Sequence, residues 1–145
     1  MKALNTALRI QQRELDALRV SITVEIERVD GLSDAQRAHL ESERRERAAA
    51  AAATEIWMPT DAWAARARAE RARLARNAQE AGDRLTALRV RAAESYGTMR
   101  AIEEAVNRRR EEIDREHAAV EQAQADDFGT ARFLAARGRE RRGMQ

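Results

Sequence analysis

Trp57-Met58-Pro59-Thr60-Asp61-Ala62-Trp63 holds the only proline among 145 residues, and its reading decides how the chain is divided. Proline lacks a backbone donor, clashes with the preceding turn and pushes the residue before it, Met58, out of the α region. A helix arriving from the N-terminal side is therefore expected to stop near Ile56 or Trp57. Thr60 or Asp61 can cap a following helix, since a short oxygen-bearing side chain accepts a bond from a free N–H one turn in. Helix, tight turn and helix, with both arms amphipathic, predict an αα-hairpin.

In the first arm, Leu4, Leu8, Gln11, Leu15, Leu18 and Ile22 follow the alternating four-three spacing of a coiled-coil seam. The next apolar step, from Ile22 to Ile26, makes two fours in succession and reads as a stutter. Val20 to Glu27 also alternates apolar and polar as a half-buried strand would. Helix is the expectation, because heptads flank the stretch and no second strand is available to pair with it. Gly31, which costs about 1 kcal/mol against alanine in a helix, marks the weak point. A break or a bend fits it, and a continuous helix is expected. Beyond the stretch Asp30 to Gln36, Leu40 is the one large apolar residue before the alanine tract Ala48 to Ala53.

The second arm keeps its period longer. Ala67, Arg71, Leu74, Ala78, Ala81, Leu85, Leu88, Ala92, Ser95, Met99, Ile102, Val106, Arg109, Ile113, Glu116, Val120 and Ala123 hold one register, which specifies a coiled coil rather than a globular helix. Folding about Pro59 pairs residues whose numbers add to roughly 115 to 118. Leu4 then faces Ile113, Ile22 faces Ala92 and Leu40 faces Leu74. The predicted fold class is all-α: two long helices forming an antiparallel coiled-coil hairpin, the second helix longer than the first. It is one unit over 1–145, with the first helix at 1–57, the turn at 58–61, the second helix at 62–127 and a C-terminal extension at 128–145.

Composition agrees with a long, thin chain. Aromatics are 3% and charged residues 36%, while much of the 43% hydrophobic content is alanine, which buries little area per residue. Without cysteine there are no disulfides or thiolate metal sites. No apolar run approaches the roughly 20 residues that span a bilayer, and Arg9, Arg13 and Glu14 interrupt any signal-peptide core. A cytoplasmic location is expected.

Catalytic constellations are absent from the sequence. His39 and His117 are far apart, and neither a phosphate-binding glycine loop nor a Ser/His/Asp arrangement occurs. The reading is a non-enzyme with no cofactor and no metal. Charge nevertheless varies along the second arm. Eight arginines face three acids from Arg66 to Arg91, and nine acids face four arginines from Glu103 to Asp127. This pattern fits either a solvated face or two docking surfaces of different preference. Nucleic acid is a poor fit: a net charge of +4 from Phe128 onward gives a salt slope of only about −3.6 on duplex DNA.

The end of the chain differs from what precedes it. Asp126-Asp127-Phe128-Gly129-Thr130-Ala131-Arg132-Phe133-Leu134-Ala135-Ala136-Arg137 carries both phenylalanines. An apolar cluster on an unpaired overhang is a candidate partner contact. This closing run, the helix lengths and the turn near residue 58 together resemble the FliJ family, stalk proteins and general chaperones of flagellar type III export with counterparts in virulence secretion. Where that family tends to carry Asp-Glu before small and basic residues, this chain has Asp126-Asp127 before Ala131 and Arg132.

The resemblance implies a hairpin similar to the shaft of rotary ATP synthases, with its terminal end in a hexameric export ATPase ring and a link to the cytoplasmic domain of the membrane export gate. Substrate-specific export chaperones are a further expected partner, and the location implied is peripheral at the inner-membrane export apparatus. The expected partner-binding residues are Phe128, Arg132, Phe133, Leu134 and Arg137 on the extension, with Trp57 and Trp63 at the turn. Each tryptophan can also act by stapling the turn. A structural or scaffolding coiled coil with no export role is the alternative reading.

Overall fold

The computed structural model of the chain describes residues 1–53 and 60–144. Two helices account for them: α1, Lys2–Ala52, and α2, Thr60–Gly143. Both are long, the second is longer, and no strand occurs among the described residues. The all-α expectation therefore holds. The expected bounds shift: Thr60 and Asp61, placed in the turn, open α2, and the extension from Phe128 onward continues that same helix to Gly143. Asp61 in the first turn and Arg141 and Arg142 in the last complement the helix dipole at its two ends. The expectations for Ile56, Trp57, Met58 and Pro59 fall outside the described residues.

The chain divides into two compact units, one of Ile10–Thr98 and one of Met1–Arg9 with Met99–Gln145. In the unit of Ile10–Thr98, α1 and α2 pack antiparallel. Partners on α2 fall in number as those on α1 rise, from Gln11 with Ser95 through Glu25 with Arg84 to Glu43 with Arg71. On α1 the covered positions include Gln11, Leu15, Leu18, Ile22, Glu25, Val29, Leu32, Gln36, His39 and Glu43, with Ala35 and Ser42 flanking the last of them. This is four-three alternation without interruption. There is no stutter: Glu25, not Ile26, occupies the seam, being 6% exposed where Ile26 is 36% exposed. On α2 the buried residues Ala67, Leu74, Ala81, Leu85 and Ser95 fall on the register read from the sequence.

The alignment of the two seams differs from the expectation. Cross-helix partners add to 106 for Gln11 with Ser95 and His39 with Ala67, 109 for Glu25 with Arg84 and Glu46 with Trp63, and 114 for Glu43 with the long Arg71 side chain, all below 115 to 118. Leu40, expected to face Leu74, lies beside the seam and is 42% exposed. The reason is electrostatic as well as apolar. At the observed alignment Gln11, Glu25, His39 and Glu43 each meet a complementary group on α2, and no buried side-chain polar atom among the described residues lacks a partner. Leaving such groups unpaired costs about 1–3 kcal/mol each, comparable to the 1.5–3 kcal/mol that burying one large apolar side chain contributes.

In the unit of Met1–Arg9 and Met99–Gln145, Val106 is buried, and Leu4, Leu8, Met99 and Ile102 are half-buried. Beyond Val106 every described residue is exposed except Ile113 and Gly138, which are partly covered. Ile113, expected to face Leu4, is partly covered, so the uncovered part of α2 runs from Asp114 to Gly143, about 30 residues or about 45 Å of helix. It begins near Asp114 rather than after Val120.

Cysteines placed at Gln11 and Ser95 are expected to crosslink within one chain at high dilution, while a pair at Ile22 and Ala92, matched by the sequence-based alignment, stays reduced. Crosslinking of the second pair alone would restore the sequence-based alignment. Gly31 lies inside α1, has no positive φ, and a Cβ added there meets nothing within 4 Å. Gly31→Ala is therefore expected to stabilise by about 1 kcal/mol, read as a higher melting temperature in circular dichroism.

Candidate partner-binding surface

The polar groups of the seam, all within the unit of Ile10–Thr98, fix where the hairpin surface begins. Glu25 Oε1 accepts from Arg84 Nε across the helix pair at 2.9 Å, and its Oε2 accepts from Arg28 Nη1 at 3.3 Å. Arg28 and Arg84 are each about half exposed while the carboxylate is buried. The arginine stems thus cover the seam and their heads stay wet. Near the turn, Arg71 Nη2 donates to both oxygens of Glu43, at 3.0 and 3.1 Å. His39 Nε2 lies 3.0 Å from Glu43 Oε1 and 3.2 Å from the carbonyl of Ala67. Both neighbours are acceptors, so this nitrogen carries a proton. Burial alone would raise the Glu43 carboxyl; the Arg71 guanidinium and His39 outweigh it and hold the group below the ordinary glutamate value of 4.5.

Trp63 stands one level nearer the turn. Its indole N–H donates to Glu46 across the helix pair, and the Arg47 guanidinium lies 5.8 Å from its ring centroid. Trp63 is half-buried and tied to α1, which is the stapling arrangement. Trp57, its expected companion, lies outside the described residues.

The extension residues are placed differently. Phe128, Phe133 and Leu134 are each more than 60% exposed, and Arg132 and Arg137 are exposed as well. Arg132 lies over the Phe128 ring at 5.7 Å, so these two form one local contact. Phe133, five positions after Phe128, points to another sector of the helix. Trp63 belongs to the other unit. Val120, 57% exposed, adds to the uncovered surface. It was read as a seam residue, because its period continues that of Val106 although no first-helix residue covers it. Exposed Ile10, Val20 and Val24 on the solvent side of α1 were also missed. Ile10, Ala17 and Val24, spaced by sevens, were the available signal.

No group of three or more His, Cys, Asp or Glu residues able to hold a metal ion occurs among the described residues. Among those residues, too, no helix is long and apolar enough to cross a membrane. No protein-family model, curated protein or solved structure matches the chain.

Two variants separate the roles of the seam charges. Arg84→Ala is expected to destabilise by about 1–3 kcal/mol, because a buried carboxylate loses its cross-helix donor. Glu25→Leu is expected to be neutral or stabilising by about 1 kcal/mol, because the freed arginines reach water and apolar area joins the seam. Denaturant unfolding measures both, and equal losses in the two variants would contradict this asymmetry. For pH, Glu43 has a lowered folded-state value. Its contribution is complete above the ordinary value of 4.5 and is lost as pH falls through the lower folded value. Glu43→Gln should flatten the acid side of the stability profile.

Proposed function

We propose that the chain is a non-enzymatic stalk and chaperone of flagellar type III protein export. In this reading the uncovered part of α2 enters a hexameric export ATPase, and the protein links that ring to the cytoplasmic domain of the membrane export gate. The same protein hands over substrate-specific export chaperones. Its place is cytoplasmic, peripheral at the inner-membrane export apparatus. The observation that carries the reading is a paired hairpin whose longer helix runs on, uncovered, from Asp114 to Gly143 with exposed Val120, Phe128, Phe133 and Leu134. The resemblance in arm lengths and in the closing run Asp126 to Arg132 supports it.

Physical chemistry supports the ring in particular. Phe128 and Phe133 face different sectors, and a surrounding partner can cover both where a flat face covers one. The five arginines from Arg132 to Arg142 suit an acidic collar and make the association salt-sensitive.

Removing residues 128–145 is expected to leave thermal unfolding of the paired region unchanged, since nothing described covers that segment, and to abolish stimulation of the export ATPase. Full stimulation by the truncated chain would overturn the docking assignment. If the intact chain retains no ATPase from a lysate and does not stimulate it, the scaffolding reading takes over.

A further inference from the structure

The uncovered segment of α2 has a symmetry that ring docking does not use. Ile113, His117, Val120, Gln124, Phe128, Ala131 and Ala135 are spaced four, three, four, four, three, four. They lie on one side of the helix, and their spacing reads the same in both directions from Gln124. Charge follows the same centre. From Asn107 to Asp127 there are seven acids and four arginines, and from Phe128 to Gly143 five arginines and one acid. One half is thus net −3 and the other net +4. A parallel partner of the same sequence would set acid on acid. An antiparallel one sets each half against its opposite.

We propose that the segment from Ile113 to Arg137 pairs with the same segment of a second copy, antiparallel about a two-fold axis at Gln124. A two-fold interface is isologous, so every contact occurs twice. Val120 then meets Phe128 of the second copy, and Ile113 meets Ala135, with Leu134 adjacent. Glu116 faces Arg132, and Glu111 faces Arg137. These side chains are free to do so. Arg132, Arg137 and Glu111 make no ion pair among the described residues, and Glu116 has only Arg109 at 3.8 Å. The pairing also covers Val120 and Phe128, two apolar residues that stand 57% and 66% exposed in the single chain. It extends the coiled-coil seam of α2, since Ile113 and Val120 continue the register of Val106. It goes beyond the export reading and needs only this chain. Because it buries Phe128, the paired form withholds from a ring the surface that the single form offers.

Sedimentation of the full-length chain tests it without any ATPase. A reversible dimer is expected as concentration rises from about 1 to 100 µM, weakening about tenfold or more as salt is raised from about 50 to 500 mM. Val120→Asp is expected to abolish the dimer while leaving helicity unchanged. Glu116→Arg alone should abolish it too, and the double variant E116R/R132E should restore it, because the reversed charges again face each other. Gln124→Cys should yield a disulfide-linked dimer under oxidation. A chain that stays monomeric throughout that range overturns the proposal. A dimer indifferent to Val120→Asp, or one that the double reversal fails to restore, overturns it equally, by showing another surface or a parallel arrangement. Absence of ATPase stimulation at concentrations where the chain is monomeric, with the dimer still forming at higher concentration, would count against the export reading alone.

Discussion

Two helices can stay in contact over many turns only if their seams keep the same phase, and here both keep a four-three alternation without interruption. The rest of the structure depends on that constraint. On α1 it places Glu25, rather than the neighbouring Ile26, between the helices. A local shift to bury the isoleucine would advance the seam by one residue, about 100° around the helix, and put every later contact out of phase with α2. Keeping the phase with a buried carboxylate is tolerable because Arg28 and Arg84 reach it. The same holds at Glu43, where Arg71 and His39 do the work.

These polar positions also choose the alignment. Leucine and alanine layers repeat every seven residues, so sliding one arm past the other by a heptad changes apolar burial little. Buried polar groups are less forgiving. Moving Glu43 away from Arg71, or Gln11 away from Ser95, leaves a group in the seam without its partner at a cost that apolar area does not repay.

Much of the fold was legible because periodicity is a local signal. The α2 register from Ala67 to Val106 and the continuity of α1 through Gly31 both follow from spacing alone. What the sequence did not disclose was the alignment. It was inferred by folding about Pro59 and matching large residues to large ones, which gives no weight to where carboxylates find guanidinium groups. Ile26 and Leu40 were assigned to the seam on hydropathy, and phase overrode both. The extension was set apart because Phe128 and Gly129 change the composition, yet Ala, Arg, Glu and Leu around them sustain a helix. Of the candidate surface, the exposed Phe128, Phe133 and Leu134 were readable as residues without a partner arm. The engagement of Trp63 with Glu46 was not, since it depends on the alignment.

Hydrogen exchange resolved along α2, at a concentration low enough to keep the chain monomeric, measures the end of the paired region directly. The account predicts slow exchange through the amides up to Val106 and a steep rise within the next two turns, with uniformly fast exchange from Ile113 to Gly143. Protection that continues undiminished through Ile113 and towards Val120 would mean that Leu4 lies opposite Ile113 after all, and that the polar pairs do not set the alignment.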